Sequence, residues 1–269
     1  MIELNNKIKL EIDTSSSKGN QIKWLYNGCY YKTDNNGYEG LSEYVVSKLL
    51  EKSSLKRNEY VSYYIETIKY KLQTYNGCYS KNFLKDGSKL ITIKRLLETF
   101  ESFDVMEVYN GLETLKKKIE FIVNNVVNIT GLTNFGEYLY KTCLIDALFL
   151  NDDRHLHNIA VIQNKDNTFD YCPIFDNGAA LLSDTKVDYP LNYDTIELVK
   201  SVKSKTFNYE FMDIIDTLEL MYGTNLMFTF NESDIDEVLD NVLVYDKQII
   251  KRVKQVLKFQ RNKMIYFFK

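Results

Sequence analysis

Asn151-Asp152-Asp153-Arg154-His155-Leu156-His157-Asn158 is the densest polar cluster in the chain, and it follows a stretch, Cys143 to Leu150, that is apolar except for Asp146. A helix with a buried end thus delivers carboxylates, a guanidinium, imidazoles and amides to a surface. Further on, Pro173-Ile174-Phe175-Asp176-Asn177-Gly178 sets another carboxylate at the end of an apolar strand, with a glycine two positions later. Between them lie β-formers at Ile159 to Gln163 and Phe169 to Phe175, separated by the turn-rich Asn164 to Thr168. That spacing predicts a hairpin that returns Asp176 to the neighbourhood of Asp153 and Asn158. A hairpin inside otherwise helical sequence marks a site.

The first hundred residues read mostly as strands: Lys7 to Ile12, Gln21 to Leu25, Cys29 to Lys32, Tyr60 to Ile68 and Cys78 to Leu84, with a hairpin turn at Asn27-Gly28. One helix interrupts them from about Leu41 to Lys52, where Leu41, Val45 and Leu49 form one stripe and Val46 and Leu50 an adjacent one. From about residue 90 the period is helical: Ile93 to Phe103, Leu112 to Val127, Phe135 to Leu150, Tyr209 to Tyr222, Ile235 to Val244 and Lys247 onward. The turn chemistry of Lys85-Asp86-Gly87-Ser88-Lys89 separates the two regimes. The expected architecture is α+β and bilobal: a small β-rich lobe at 1–88 with one helix, and a larger, mostly α lobe at 89–269.

Composition narrows the function. With 269 residues, 45% hydrophobic, the chain is long enough to bury a sizeable core, which excludes disorder. Its 34 Lys+Arg against 37 Asp+Glu argue against a protein built to blanket nucleic acid, so no direct nucleic-acid binding is expected. No apolar run approaches the roughly 20 residues that span a bilayer. The start, Met1-Ile2-Glu3-Leu4, lacks the basic and apolar pattern of a signal peptide, and a cytoplasmic location is expected. The scattered Cys29, Cys78, Cys143 and Cys172 form no CxxC pair and read as reduced thiols.

Phosphoryl transfer requires one carboxylate to orient the acceptor hydroxyl and accept its proton, plus an amide and a second carboxylate to hold Mg²⁺ against nucleotide phosphates. Asp153, Asn158 and Asp176 supply those three parts. Taken singly, each reads as an ordinary Asx turn; as an ordered set they point to phosphotransfer.

Asp153-Arg154-His155-Leu156-His157-Asn158 with Asp176 resembles the catalytic loop and metal-binding segment of HipA-like kinases, a group related to the phosphatidylinositol kinases. Upstream, Ser16-Ser17-Lys18-Gly19-Asn20-Gln21-Ile22-Lys23 resembles their Ser-x-x-Gly-x-Gln-x-Lys phosphate loop. Tyr30-Tyr31-Lys32 resembles the strand bearing the nucleotide lysine, and Tyr38-Glu39-Gly40-Leu41-Ser42-Glu43 the opening of the helix bearing its glutamate partner. The resemblance runs in order from residue 16 to 178. It implies a protein-kinase-like fold using ATP and Mg²⁺. Ser16, Ser17, Gly19, Gln21, Lys23, Lys32 and His157 would lie toward the nucleotide, Asp153 would orient the acceptor, and Asn158 and Asp176 would ligate the metal.

Physical chemistry agrees with parts of this. Gly19 among small polar residues lets backbone N–H groups approach phosphate oxygens, and Lys32 adds a charge on a strand. Glu39 and Glu43, four residues apart, share one helical face, so periodicity does not separate them as partners of Lys32; the family position favours Glu43. His157 departs from the pattern, which commonly has a lysine there. His155 and Arg154 read as organisers of the loop.

The resemblance further implies a Ser or Thr acceptor on a protein, the enzyme itself included. Autophosphorylation would fall in the Ser15–Ser17 loop, with Ser16 as the matching position. The stretch ahead of the phosphate loop is short, whereas HipA toxins carry there a subdomain that contacts a DNA-binding antitoxin. An antitoxin or other regulator is therefore a partner that the residues present do not require. Substrate choice is expected to reside in the activation segment, Ala179 to Asn192. Two other readings share these residues: a phosphatidylinositol-type or small-molecule kinase, and an ATP-binding pseudokinase that regulates a partner. The C-terminal Lys247, Lys251, Arg252, Lys254, Lys258, Arg261, Lys263 and Lys269 are interleaved with apolar residues, and read as a packed terminal helix with a solvated lysine face in preference to an anion-binding surface.

Overall fold

The computed structural model describes residues 1–6, 10, 21–100, 104–205 and 207–269. Five strands, β1 (Ile2–Leu4), β2 (Lys23–Tyr26), β3 (Cys29–Thr33), β4 (Tyr64–Tyr70) and β5 (Gln73–Lys81), form one sheet in the order β1-β4-β5-β3-β2. Asn27 and Gly28, both at positive φ, make the turn between β2 and β3, as the Asn-Gly pair predicts. A hairpin that the sequence does not announce joins β4 to β5 at Lys71-Leu72, where Lys71 takes φ 57° without the help of glycine or asparagine. The strands expected at Tyr60 to Ile68 and Cys78 to Leu84 are accordingly shifted. The strand expected at Lys7 to Ile12 falls largely outside the described residues, whereas β1, too short to show a period, pairs parallel with β4.

Helix α1 (Glu39–Leu50) crosses the inner face of this sheet, where Gly40 meets Gly77 of β5. A Cβ on Gly40 would come within 2.6 Å of the Gly77 backbone, and one on Gly77 within 2.1 Å of the Lys32 carbonyl oxygen. Two glycines therefore set how closely α1 approaches β3 and β5. The predicted stripes of α1 are all buried, and they join a core continuous with the helical part of the chain. A smaller core of Leu4, Trp24, Tyr31, Ile68 and Tyr70 lies on the opposite face of the sheet.

After a turn at Lys85 to Ser88, a second sheet of β6 (Lys89–Thr92), β7 (Ala160–Gln163) and β8 (Phe169–Tyr171) begins. The helices that follow β6 are α2 (Ile93–Phe100), α3 (Val105–Gly111), α4 (Leu115–Thr130) and α5 (Phe135–Phe149); beyond β8 come α6 (Thr195–Ser201), α7 (Phe211–Tyr222), α8 (Glu232–Asp240) and α9 (Lys247–Lys263). The short α3 and α6 bury only two residues each, too few to set a period in the sequence. The predicted hairpin is thus two strands of a three-stranded sheet. It also ends earlier than expected, because Pro173 has no N–H to donate to a ladder.

Helix α9 packs as a terminal helix, and three of its cations are held by neighbouring elements. Lys254 bridges Asp236 and Asp240, Lys258 bridges Glu232 and Asp236, and Arg252 is buried against the carbonyl oxygens of Tyr189 and Pro190. Acidic α8 neutralises the middle of the basic face, which weakens the case for an anionic membrane surface. No helix among the described residues is long and apolar enough to cross a membrane.

Candidate active site

Lys32 sits on β3 with its side chain on the inner face, against α1. Its Nζ donates to Glu43 Oε1 at 2.6 Å and to Asp176 Oδ1 at 2.9 Å, and lies 5.3 Å from the centre of the Tyr63 ring. Glu43 Oε2 in turn accepts from the backbone N–H of Asn177 at 2.8 Å. Glu39 is engaged elsewhere: its carboxylate accepts the N–H groups of Asn35, Asn36 and Gly37, closing the turn ahead of α1. The two glutamates share a helical face, and the turn chemistry of 35–37 is what divides their work.

Burial shapes the charge of this cluster. It opposes ionisation of Lys32, yet Asp176 and Glu43 hold the ammonium charged well above the usual lysine range. It also opposes ionisation of Asp176, but Lys32, Lys23 and Arg154 more than offset it and keep this carboxylate far below its ordinary range. For Glu43, burial wins and raises the carboxyl, with Lys32 pulling in the other direction.

Asp176 reaches Lys32 by a change of partner strand. Past Pro173, Ile174 leaves the hairpin and pairs with Tyr60, donating its N–H to Glu59 at 2.8 Å while its carbonyl accepts from Val61 at 3.0 Å. Asp176 then adopts φ 63°, a strained value for a residue other than glycine, and so turns the chain beneath β3.

The loop at 151–158 is tied to this segment by Arg154. The guanidinium Nε and Nη2 donate to Asp146 of α5 at 3.0–3.1 Å, Nη2 also donates to Asn177 Oδ1 at 2.7 Å, and Nη1 donates to the carbonyl oxygens of Asn158 and Phe175. Asn151 adds a second tie, donating to Asp146 Oδ1 at 2.9 Å and to the Asp176 carbonyl at 3.3 Å. Asn158 Nδ2 donates to the Asp153 carbonyl at 3.1 Å and closes the loop on itself. One buried carboxylate, Asp146, therefore anchors Asp153, Asn158 and Asp176 to a common frame. In the sequence Asp146 stands as the exception in an apolar run; a lone acid on a buried helix, with an arginine eight residues further on in the loop, is the signal of this ion pair.

Between the sheet and the helical body opens a cavity of about 220 Å³. Tyr30, Phe83, Leu84, Leu90 and Phe175 give it apolar walls, and Lys23, Lys32 and Asp176 stand along one side. That is the composition of a site for a flat apolar ring bearing an anionic tail. Of the residues expected toward the nucleotide, Lys23 and Lys32 line the cavity. Gln21 turns away from it, donating to the Thr33 carbonyl at 2.8 Å. His157 is half-buried, edge-on to His155 with ring centres 5.2 Å apart. Ser16, Ser17 and Gly19 lie outside the described residues.

The segment after Gly178 is stitched to the start of α1. Tyr38 N–H donates to Ser183 O, Thr185 and Lys186 N–H groups to Asn36 O, Tyr38 Oη to Leu181 O at 2.7 Å and Ser42 Oγ to Ala180 O at 2.9 Å. Asp34, at the end of β3, extends the network: it accepts from Gly40 N at 2.6 Å and from Tyr245 Oη at 2.8 Å. Burial pushes its carboxyl up to about 7, against the pull of those two donors. A folded-state value raised above the unfolded one gives stability that is full below the ordinary carboxylate range and is lost as pH rises through about 7. In urea titrations, the unfolding midpoint of the wild type should therefore fall relative to Asp34→Asn between about pH 4 and about pH 7 and run parallel to it above. Parallel midpoints over that interval would remove Asp34 as the source.

Oxygen donors suited to Mg²⁺ are present in Asp176 and the Asn158 carboxamide. No group of three or more His, Cys, Asp or Glu side chains that could hold a metal by itself occurs among the described residues. A hard cation shared with phosphate oxygens needs only one or two protein carboxylates, so this donor set fits.

A five-stranded sheet bearing one helix, set over a larger helical body with a charged cluster in the cleft, defines a bilobal, kinase-like fold. The comparisons make this particular. The chain is similar to the proinflammatory kinase CtkA of Helicobacter pylori, with a TM-score of 0.57 and 15% identity over 96% of this chain and 93% of that one. It also matches HipA of Shewanella oneidensis MR-1, solved with HipB and operator DNA, with a TM-score of 0.49 and 11% identity over 97% of this chain and 66% of that one. The fold is thus shared with the kinase CtkA. No family model and no curated protein matches the sequence.

Proposed function

We propose that the protein is an ATP- and Mg²⁺-dependent kinase that transfers the γ-phosphoryl group to Ser or Thr of a protein. The observation that carries this reading is Lys32, buried between Glu43 and Asp176 at the wall of an apolar cleft. Residues 1–88 act as the nucleotide-covering lobe and residues 89–269 as the lobe that brings the acceptor. Bound Mg-ATP supplies the phosphoryl group and the charge of the metal. The chain's own residues do the rest by position. Lys32 and Lys23 would hold the phosphates, Asn158 and Asp176 would hold the metal, and Asp153 aligns the acceptor hydroxyl and takes its proton. Glu43 keeps Lys32 in place and so couples α1 to the site.

Autophosphorylation in the Ser15–Ser17 loop, with Ser16 as acceptor, belongs to the same reading. Incubation with Mg-ATP and a dephosphorylated protein acceptor should place phosphate on Ser or Thr of that acceptor, as read by peptide mapping. Phosphate found only on lipid headgroups or small molecules would overturn the choice of acceptor. The pairing of Lys254 and Lys258 with α8 supports a protein acceptor over a membrane one.

A further inference from the structure

Negative charge on the transferring phosphoryl group must be met by cations beyond the metal. Arg154 is already committed, enclosed by Asp146, Asn177 and two carbonyls. Lys23 and Lys32 line the cavity, on the nucleotide's side. Beside Asp153 itself stand His155, with Nε2 4.0 Å from Asp153 Oδ2, and a lysine that arrives from outside the loop. Lys205, between α6 and α7, donates its backbone N–H to the Asp152 carbonyl at 3.1 Å. Its Nζ stands 3.9 Å from Asp152 Oδ2 and 4.0 Å from Asp153 Oδ1, and half of the side chain (50%) is exposed.

Those distances are longer than a hydrogen bond. The main chain of Lys205 is pinned to the loop while its half-exposed ammonium stands beside Asp152 and Asp153, close enough to be held there by charge and loose enough to accept another oxygen. Asp152 has a donor of its own in Tyr189 Oη at 2.7 Å, so its carboxylate does not depend on Lys205. We propose that Lys205 supplies the cation that meets the transferring phosphoryl group beside Asp153. This rests on the kinase reading given above. The acceptor oxygen bonds to the γ-phosphorus as the bond to the β,γ-bridging oxygen breaks. The hydroxyl proton passes to Asp153, ADP leaves with the bond electrons, and Lys205 remains an ammonium throughout.

The test compares the full-length wild type with Lys205→Met, Lys205→Arg and, as control, Lys203→Met. Lys203 is an exposed neighbour paired with Glu210 at 3.0 Å. The readouts are kcat, KM for Mg-ATP, ADP affinity and Tm. Lys205→Met should lower kcat by about 10- to 100-fold with KM, ADP affinity and Tm near wild type. Lys205→Arg should recover most of the rate, and Lys203→Met should change nothing. A Lys205→Met enzyme with kcat within about twofold of wild type, or with its loss confined to KM or tracking a fall in Tm, overturns the role. A wild type that binds Mg-ATP and transfers phosphate to nothing overturns the kinase reading and this role together. An active wild type indifferent to Lys205 overturns this role alone.

Discussion

Replacing Arg154 with leucine lowers the stability of the folded protein by about 3–5 kcal/mol, measured as the shift of its urea-unfolding curve. Arg154 and Asp146 are almost wholly buried, at 1% and 3% exposure. Removing the guanidinium leaves Asp146 with only the Asn151 amide as a donor, and burial already pushes its carboxyl upward against the pull of Arg154. The carbonyl oxygens of Asn158 and Phe175 lose their donor at the same time. Arg154→Lys should fall between, since one ammonium does not reproduce the planar fork that serves Asp146, Asn177 and two carbonyls at once. The double variant Asp146→Leu/Arg154→Leu separates charge from packing. It removes both buried ions, so most of the lost stability should return, while phosphotransfer stays impaired because only Asn151 still ties the loop to the Asp176 segment. Equal instability in the single and double variants would mean that packing of the aliphatic stem, and not the ion pair, is what matters.

Lys32→Met should reduce phosphate transfer by about 10²–10³-fold and weaken Mg-ATP binding. The ammonium offsets two buried carboxylates and faces the cleft, so its loss removes the phosphate contact and leaves Glu43 and Asp176 without their shared cation. Glu43→Gln should be milder, near tenfold, because the amide oxygen still accepts from Lys32, and Asp176 still neutralises it. The order of the two variants is the informative result. If Glu43→Gln were as damaging as Lys32→Met, the glutamate would act through its charge and not by holding Lys32 in position.

Much of this arrangement is legible in the sequence because it rests on local chemistry. Asn27-Gly28 fixes a hairpin through positive φ, and Leu41, Val45 and Leu49 fix a buried helix through period. Other features depend on partners remote in sequence. Lys71 turns a hairpin that carries no turn signal, since pairing of β4 with β5 imposes it. The three residues of β1 show no period, and only the edge of β4 makes them a strand. The departure of Ile174 to Tyr60 follows from Pro173 once both are in view, but nothing near Tyr60 advertises it. In the site, residue types and order point to Lys32, Asp153, Asn158 and Asp176. The choice of Glu43 over Glu39 needed the turn at 35–37, and Lys205 reaches Asp153 only through the tertiary fold.

The central claim is that this cluster transfers phosphate from ATP. Intact-mass spectrometry after incubation with Mg-ATP, with and without a protein acceptor, tests it on the wild type, Asp153→Asn and Asp176→Asn. The account predicts phosphate added by the wild type, to itself or to the acceptor, and none added by either variant although both remain folded. Phosphate added equally by all three, or by none while the wild type binds Mg-ATP, would contradict it.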